Sequence, residues 1–398
     1  MHATRQQAIE LLNAFTPNMG KRYESGRNYD NGPGRHHAVS MLSPYVSRRL
    51  VTEQELVGAA MDAHGPDKAF KFIEEVFWRS YFKGWLELRP SIWSDYVVGL
   101  EGDLAVLEKD KRMRAGYRAA IDGETGIECF DAWSAELRET GYLHNHARMW
   151  FASIWIFTLK LPWRLGADFF YRHLLDGDAA SNTLSWRWVA GLHTRGKSYA
   201  ARADNIATYS GGRFTPGHNE LAEVPEGLEA SEPEGLPAAG KPRAYEQPAP
   251  GVPSVLLLTT EDACVQDFDL AKFDIQKVIM VNVSKLRSPL VISDAVVQFD
   301  QNTLDDTATR LGFETVHAQP DSLVDALTGA GIKQIITPYM TQGPLYDLMT
   351  KAKIQLDQRD ARITELKREW DTLVWPHAKA GFFRVKKQIP AVLSALMS

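Results

Sequence analysis

The sequence predicts two domains, an all-α domain followed by an α/β domain with a parallel sheet. Residues 144–158 carry apolar and aromatic side chains at helical spacing around nearly the whole axis, which is typical of a buried helix. Residues 219–253 are rich in Pro, Glu, Ala and Gly, as in a semi-extended linker. Short apolar runs then follow at 254–260, 277–283 and 334–340, and these are typical of buried parallel strands. We therefore predict a helical domain at 1–218, a linker at 219–253 and an α/β domain at 254–398.

Composition narrows the classes of protein and site. The 398 residues provide for two domains, and the two cysteines lie far apart, which argues against a disulfide framework, a zinc site or a cysteine-ligated iron–sulfur cluster. The first residues lack a signal pattern and no apolar run reaches membrane-spanning length, so we expect a soluble cytoplasmic protein with no membrane partner.

The charge is unevenly distributed along the chain. The net charge is −5, but residues 1–219 hold 27 Lys+Arg against 25 Asp+Glu (+2), and residues 220–398 hold 18 against 25 (−7). The acidity therefore belongs to the linker and the second domain. This balance is compatible with a DNA-facing patch on the first domain. Local clustering of Lys and Arg, and not the net charge, determines whether such a patch exists.

Within the first domain, local patterns predict the following elements. Residues 4–15 form an amphipathic helix and the Gly-, Asn- and Asp-containing stretch after it is irregular. Ser40 and Ser43 open a helix whose free amides and dipole would hold a phosphate. Residues 52–90 form two helices, and the polar residues 95–122 form a surface helix and loop.

Arg148 lies in the middle of the buried helix at 144–158. A buried guanidinium is costly unless it is paired, and the nearest candidate partners are Asp176 and Asp178 of the LDGDAAS turn. That turn is a plausible helix start whose amides could face an anion or a polar ring edge. The alternative is a structural ion pair that closes two helices.

Five segments in this domain carry a family resemblance. VSMLSP (39–44), EVFWRSYF (75–82), TGIECFDAW (125–133), TGYLHNHARM (140–149) and DGDAASNTLSWRW (176–188) resemble the signature blocks of the photolyase/cryptochrome flavoproteins. The resemblance implies FAD as the cofactor of an all-α domain. It assigns the following residues to cofactor binding: Tyr23, Ser40, Met41, Leu42, Ser43, Phe72, Glu75, Arg79, Tyr142, Asn145, Arg148, Asp176, Gly177, Asp178 and Asn182. Val39 and Met41 depart from the family's Thr and Arg, and Arg35, His36 or His37 could compensate.

The resemblance also implies a pocket for a pyrimidine dimer in damaged DNA. The residues assigned to it are Arg27, Glu75, Trp78, Asn145, His146, Met149 and Trp188. Asn145 with Met149 is the pattern of cyclobutane-dimer repair, whereas His146 replaces an Arg that usually contacts substrate. Because aromatic stripes are usually core, Trp78 as a simple core residue is the competing interpretation. The His144 and His146 side chains should face different sides of a helix, so no metal site is expected.

Further tryptophans match an electron-transfer chain. Trp186 matches the family's first member, Trp163 the second, and Trp93 is offered as the outermost. The segment 194–215 that follows adds Arg195, Lys197, Arg202 and Arg213. These side chains either lie on DNA phosphates or belong to a solvated loop.

The second domain resembles the family's antenna domain, which ordinarily precedes the flavin domain, so the domain order is permuted here. Its closing FFRVKKQIP resembles the strand that leads out of that domain. No GxGxxG follows the first strand, so dinucleotide binding is not indicated, and a second chromophore is left unassigned. The function implied is blue-light-driven, FAD-dependent lyase repair of cyclobutane dimers. The alternative is a cryptochrome-like photoreceptor, whose signalling partner the sequence does not identify, and a flavin-binding relic with neither activity is the third option.

Overall fold

The computed structural model describes residues 2–217, 219–223, 226–328 and 331–397. Its first part is helical, as the sequence predicts. The helices are α1 Arg5–Phe15, α2 Lys21–Gly26, α3 Ser43–Ser47, α4 Glu53–Glu87, α5 Ser91–Lys109, α6 Lys111–Asp122, α7 Glu128–Thr140, α8 Asn145–Ser153, α9 Trp163–His173, α10 Ala179–Val189 and α11 Ala203–Tyr209.

The long helix α4 is two helices joined at a break, which confirms the prediction for residues 52–90. The break is at Gly65, where φ is +73°, followed by Pro66. A glycine takes this conformation without a Cβ clash, and the proline begins the next helical turn. At the start of α4, Thr52 and Glu55 form a reciprocal capping box.

Three local predictions need correction in the helical domain. The stretch after α1 is not wholly irregular, because residues 21–26 form α2. The buried helix continues from α8 into a π-helical turn at Ile154–Thr158. Residues 91–122 form two helices, α5 and α6, that meet at Asp110, whose side chain caps α6.

The second part is an α/β domain with five parallel strands. The strands are β1 Pro253–Leu258, β2 Asp274–Val281, β3 Thr315–Ala318, β4 Gln334–Pro338 and β5 Arg362–Leu366, in the order β3-β2-β1-β4-β5. The helices after β2 are α12 Asp294–Leu311, α13 Leu323–Leu327, α14 Pro344–Gln358, α15 Glu369–Val374 and α16 Phe383–Met397. The central strand β1 pairs with β2 and β4, with Leu256 opposite Val278 and Ile336. The order reverses beside β1, as in doubly wound sheets.

Buried strands were predicted and edge strands were not. The three apolar runs at 254–260, 277–283 and 334–340 correspond to β1, β2 and β4. The edge strands β3 and β5 have the sequences TVHA and RITEL, which are short and mixed in polarity. An edge strand is covered less completely than a central one, so its sequence carries a weaker apolar signal.

The predicted strand at FFRVKKQIP is wrong, because these residues begin α16. Val385, Ile389 and Leu393 recur at four-residue spacing and are buried. This spacing places them on one face of a helix. That face packs against the helical domain.

The C-terminal helices join the core of the first domain. Trp370, Val374, Trp375 and Phe382 are buried in the same hydrophobic cluster as the side chains of α4 to α10. The two faces of the sheet have separate clusters. The range predicted for the second domain, 254–398, therefore contains a segment that packs as part of the first.

The α/β part of the chain meets the helical domain through buried ion pairs and hydrogen bonds. Arg49 contacts Asp371 at 2.6 Å and Glu53 at 3.1 Å. The carboxylate of Glu87 accepts hydrogen bonds from the Tyr339 hydroxyl at 2.9 Å and the Gln342 amide at 2.7 Å. Within the described ranges, no helix is both long and apolar enough to cross a bilayer.

Candidate functional site

A cavity of about 670 Å³ opens in the helical domain. Its walls come from α4, α8, α9 and α10, from the turn at 174–178 and from segments near residues 23–27 and 39–47. The predicted site residues on this wall are Tyr23, Arg27, Ser40, Leu42, Ser43, Phe72, Glu75, Trp78, Arg79, Asn145, Arg148, Met149, Asp176, Gly177, Asp178, Asn182, Trp186 and Trp188. Residues from distant segments thus meet at one site.

Asp178 fixes the start of α10 at the cavity wall. Its side chain caps the helix by accepting from the Ser181 amide at 2.8 Å, and it pairs with Lys83 at 2.8 Å. Burial would raise the pKa of the Asp178 carboxyl, but Lys83 and Arg79 outweigh burial and hold the pKa below its usual range. The turn therefore carries a fixed negative charge beside a helix N-terminus.

Arg148 pairs with Asp176, as the sequence predicts. The Arg148 Nη2 atom lies 2.7 Å from Asp176 Oδ2, and Arg148 Nε donates to the carbonyl of Leu143 at 2.8 Å. The second carboxylate oxygen of Asp176 is buried and has no hydrogen-bond partner among the described residues. Buried polar atoms are normally satisfied, so this oxygen is available to a ligand in the cavity.

Asn182 and Trp186 line the wall one and two turns into α10. The Asn182 amide nitrogen donates to the carbonyl of Ala167 at 2.8 Å, which leaves its oxygen as a possible acceptor. The Trp186 indole nitrogen is buried without a partner among the described residues. Both side chains can therefore offer polar atoms to a ring placed in the cavity.

Glu75 lies in a charged group on the α4 side of the cavity. Its carboxylate is 3.2 Å from Arg27 and 3.2 Å from Lys71. The Tyr23 ring lies nearby, and burial with the neighbouring Glu75 raises the pKa of its hydroxyl, so the phenol stays protonated. This side of the cavity can accept and donate hydrogen bonds at neutral pH.

Two tryptophans contribute large apolar surfaces to the same cavity. Trp78 on α4 stacks on Phe382 with ring centroids 3.8 Å apart. Trp188 on α10 packs on Tyr199 at 5.4 Å. Both indoles are only partly buried, although each has an aromatic neighbour. A planar ligand group could stack on either one.

Comparison with known proteins identifies the type of domain that contains this cavity. Residues 72–214 match the model of the FAD binding domain of DNA photolyase, which spans the cavity helices from α4 to α11. These residues form an FAD-binding domain of the photolyase/cryptochrome family.

Curated relatives carry the same family assignment. The deoxyribodipyrimidine photo-lyase of Streptomyces griseus is 35% identical over 237 residues, which is 55% of this chain and 47% of that protein. An enzyme of the same name from Thermus thermophilus is 31% identical over 193 residues, 47% of this chain and 42% of the relative. A solved class III photolyase from Agrobacterium tumefaciens shares 25% identity with this chain at a TM-score of 0.44. The match covers 52% of this chain and 43% of the photolyase chain. This chain spans less than half the length of these relatives.

The cavity residues of this photolyase/cryptochrome domain fit FAD, the cofactor of the family. Asp176 and Trp186, each with a buried polar atom that has no partner among the described residues, line a space large enough for an aromatic ligand. Arg79, whose Nη1 pairs with Glu53 at 2.7 Å, keeps a buried Nε without a partner among the described residues. Buried polar atoms of both signs around one cavity are what a flavin with its phosphates requires.

The segment expected to hold the phosphates is tightly folded. Met41 takes the left-handed conformation at φ +55°, and the Leu42 amide donates to Ser40 Oγ at 3.3 Å. The His36 ring is buried, with Nε2 3.1 Å from Glu136 and Nδ1 3.9 Å from Asp30. His36 is thus engaged between two carboxylates, so the compensating role suggested for it is not supported.

Three predicted contact residues are placed differently. Among the described residues, Met41, Tyr142 and His146 are not part of the cavity wall. His146 Nδ1 lies 2.7 Å from the Asn28 carbonyl, so this side chain fastens a loop. Tyr142 lies under the Arg148 guanidinium at 5.5 Å and supports that side chain from behind.

The three predicted electron-transfer residues are all buried in the structure. Trp186 is in ring contact with Trp155 at 6.1 Å. Trp163 packs on Tyr96 at 5.9 Å, and Tyr96 packs on Trp93 at 5.4 Å. The outermost position assigned to Trp93 meets the second domain instead of solvent, since its indole nitrogen donates to Asp347 of α14 at 2.8 Å.

Some residues of the cavity wall, among them Tyr81 and His193, were not predicted from the sequence. Tyr81 lines the cavity and lies 2.9 Å from His193 Nε2. Burial, with Arg187 and Arg89 nearby, lowers the pKa of His193 to about 3, so its ring is neutral at pH 7. Tyr81 follows Trp78 by three residues, which places both on one face of α4, and this spacing was the sequence signal for Tyr81.

The basic segment at 194–215 is partly engaged within the protein. Arg195 donates to the carbonyl of Glu232 in the linker at 2.9 Å. Arg213 lies 3.3 Å from the Asp30 carboxylate, whereas the exposed Arg202 pairs with Asp204. The linker therefore covers part of the surface that the sequence offered to phosphates.

Proposed function

We propose that this protein is a light-driven DNA repair lyase that splits cyclobutane pyrimidine dimers. The observation that carries the proposal is the meeting of two partly buried tryptophans, Trp78 and Trp188, with Glu75, Asn145 and Met149 on the wall of one flavin-type cavity. The names of the curated relatives support the same activity for the family.

The chain's own residues have two tasks in this reaction. Trp78 and Trp188 provide stacking surfaces for a pyrimidine dimer flipped out of the DNA. Glu75, held by Arg27 and Lys71, accepts a hydrogen bond from a base edge. When bound and excited by blue light, reduced FAD would supply one electron for ring opening and regain it once the ring has split.

The electrostatics on the α10 side of the cavity suit cofactor binding. The Asp176 oxygen and the Asn182 side chain would contact the flavin ring, and Arg148 would hold Asp176 in place. Ser40, Leu42 and Ser43 would lie against the phosphates with Arg79. Because these groups are already ordered by their own hydrogen bonds, binding would cost little rearrangement.

The decisive experiment is an illuminated repair assay. Purified protein carrying chemically reduced FAD is mixed with a thymine-dimer oligonucleotide, and the return of thymine absorbance is followed in blue light and in the dark. Recovery that occurs only in the light supports the proposal. Bound flavin that is reduced by light, without any dimer splitting, would contradict repair and favour the photoreceptor function.

The pocket assignment has its own test in Trp78→Ala. Base stacking on an aromatic side chain is worth about 1–3 kcal/mol, so this variant should bind the dimer oligonucleotide roughly 5- to 150-fold more weakly. Its flavin content should match that of the wild type. Unchanged dimer binding would show that Trp78 is a core residue only.

A further inference from the structure

A side chain from the far end of the chain belongs to the cavity wall. Phe382, which precedes α16, stacks on Trp78 with ring centroids 3.8 Å apart and ring planes 12° from parallel. Phe382 and its neighbour Gly381 both line the cavity. The wall residue Trp78 therefore presents a two-ring stack, of which one ring comes from the segment after the α/β sheet.

Phe382 is a packed residue and not a mobile cover. Only 7% of its surface is exposed, and its ring also meets the Tyr81 ring at 5.6 Å, edge to face. Val385, one turn further along α16, is 1% exposed in the same cluster. Removing the Phe382 ring from its place would expose this packed contact to water.

Specific polar contacts hold this segment on α4. The Trp370 indole donates to Ser80 Oγ at 2.7 Å, and Lys386 pairs with Glu74 at 3.0 Å. These two contacts lie before and after Phe382 in sequence, and both end on the helix that carries Trp78. The backbone around Phe382 is thus fixed relative to Trp78.

A stacking surface is useful only if its orientation is fixed. The Trp78 indole is partly exposed in the cavity, so without a neighbour its ring could rotate between rotamers. Phe382 stacks on one face of the indole, Tyr81 and Phe82 contact it at centroid distances of 5.5 and 5.6 Å, and Trp78 still contributes to the cavity wall. An aromatic stack of this kind favours one ring orientation.

We propose that Phe382 is a positioning residue for nucleobase recognition, which orients Trp78 so that a flipped pyrimidine can stack on it. This inference rests on the proposed function, since it concerns the DNA side of the same cavity. It assigns the C-terminal segment a role in substrate binding that neither its sequence nor its place after the sheet indicates.

The test measures dark binding of the FAD-loaded, full-length protein to a fluorescent thymine-dimer oligonucleotide and to its undamaged counterpart. The variants are F382A, F382L, which keeps apolar volume without a ring, and F382Y, which keeps the ring. The neighbouring Phe383 provides a matched control, because it is 65% exposed and F383A removes a phenylalanine next to the proposed one. Flavin content and far-UV circular dichroism report whether each variant is folded.

We expect F382A and F382L to bind the dimer about two- to tenfold more weakly, the range expected for one aromatic pair. F382Y and F383A should bind as the wild type does. In a W78A background, F382L should cause no additional loss, because Phe382 acts through Trp78. A merely structural role would instead reduce flavin content and binding of both oligonucleotides together.

Other results would overturn the inference. Wild-type affinity in both F382A and F382L, or tighter binding because the ring blocks the site, contradicts positioning. An equal loss from F382L with and without Trp78 shows that the two rings act separately. These results leave the proposed function standing if W78A still weakens dimer binding, whereas a wild-type protein that does not prefer the dimer oligonucleotide defeats the proposed function and this inference with it.

Discussion

Replacement of Arg48 by methionine should test how the α/β domain supports the cavity. Arg48 is 3% exposed and donates from Nε to Asp300 of α12 at 2.8 Å. Its Nη atoms donate to the carbonyls of Gly177 at 3.2 Å and Leu175 at 3.1 Å. One guanidinium therefore joins α12 to the turn that carries the Asp176 and Asp178 carboxylates.

The cost of Arg48→Met follows from what it leaves behind. Asp300 is 1% exposed and would keep only Arg287 and Ser284 as side-chain partners within the described residues. Because Arg287 still compensates the Asp300 charge, the cost lies in the hydrogen bonds lost by Asp300 and by the two buried carbonyls, about 1–3 kcal/mol for each group left unsatisfied. Because Gly177 lines the cavity, we also expect FAD to bind about tenfold more weakly.

The assay is denaturant unfolding of flavin-free protein together with titration of FAD. The matched control is Lys353→Met, which breaks an exposed pair with Asp357 at 3.6 Å on α14 and should change stability by less than about 1 kcal/mol. If the free energy of unfolding of Arg48→Met stays within about 1 kcal/mol of the wild-type value and the variant binds FAD normally, the turn does not depend on Arg48 and the proposed support from α12 is wrong.

Three further changes address the flavin side and the pH dependence. Asp176→Asn should lower stability by about 1–3 kcal/mol and reduce flavin content on purification, because the half-buried Arg148 guanidinium loses its carboxylate; unchanged flavin content would contradict this. Trp163→Phe should slow light-driven flavin reduction by an external donor, measured by absorbance, without loss of bound flavin; an unchanged rate would exclude Trp163 from the path. Burial lowers the pKa of His173 to about 4 in the folded protein. Below pH ~6.5 the imidazole is therefore protonated more readily in the unfolded chain than in the folded protein. The contribution of His173 to the free energy of unfolding should therefore be fully retained above pH ~6.5 and fall by about 1.4 kcal/mol per pH unit toward pH ~4, and His173→Gln should reduce the slope of the whole protein by that amount.

Part of the site was predictable because local physical rules determine it. A guanidinium in a helix surrounded by apolar side chains must find a carboxylate, and Arg148 pairs with Asp176 of the predicted turn. An Asp before small residues is a typical N-cap, and Asp178 caps α10. These inferences need only the residue and its sequence neighbours.

The remaining features depend on contacts between segments far apart in sequence. The charge of Lys83 gives no sign that it will pair with Asp178 and donate to Thr341 of the second domain. His146 lies in the first turn of α8, and its position in the sequence does not show which way its side chain points. In the structure its ring is hydrogen-bonded to the backbone carbonyl of Asn28. In FFRVKKQIP the apolar residues suit both a strand and a helix, and only the apolar surface of α4 decides between them.

An α/β domain that follows the helical domain is compatible with this interface because packing follows surfaces and not the order of the chain. Arg49 after α3 pairs with Asp371 of α15, Glu87 of α4 accepts from Tyr339 after β4, and neither contact requires the α/β domain to come first. The chain also returns to the helical domain at α16, so the sheet is joined to that domain by the linker at one end and by a packed helix at the other. The same packed segment also reaches the cavity, because Phe382 just before α16 stacks on Trp78 of α4.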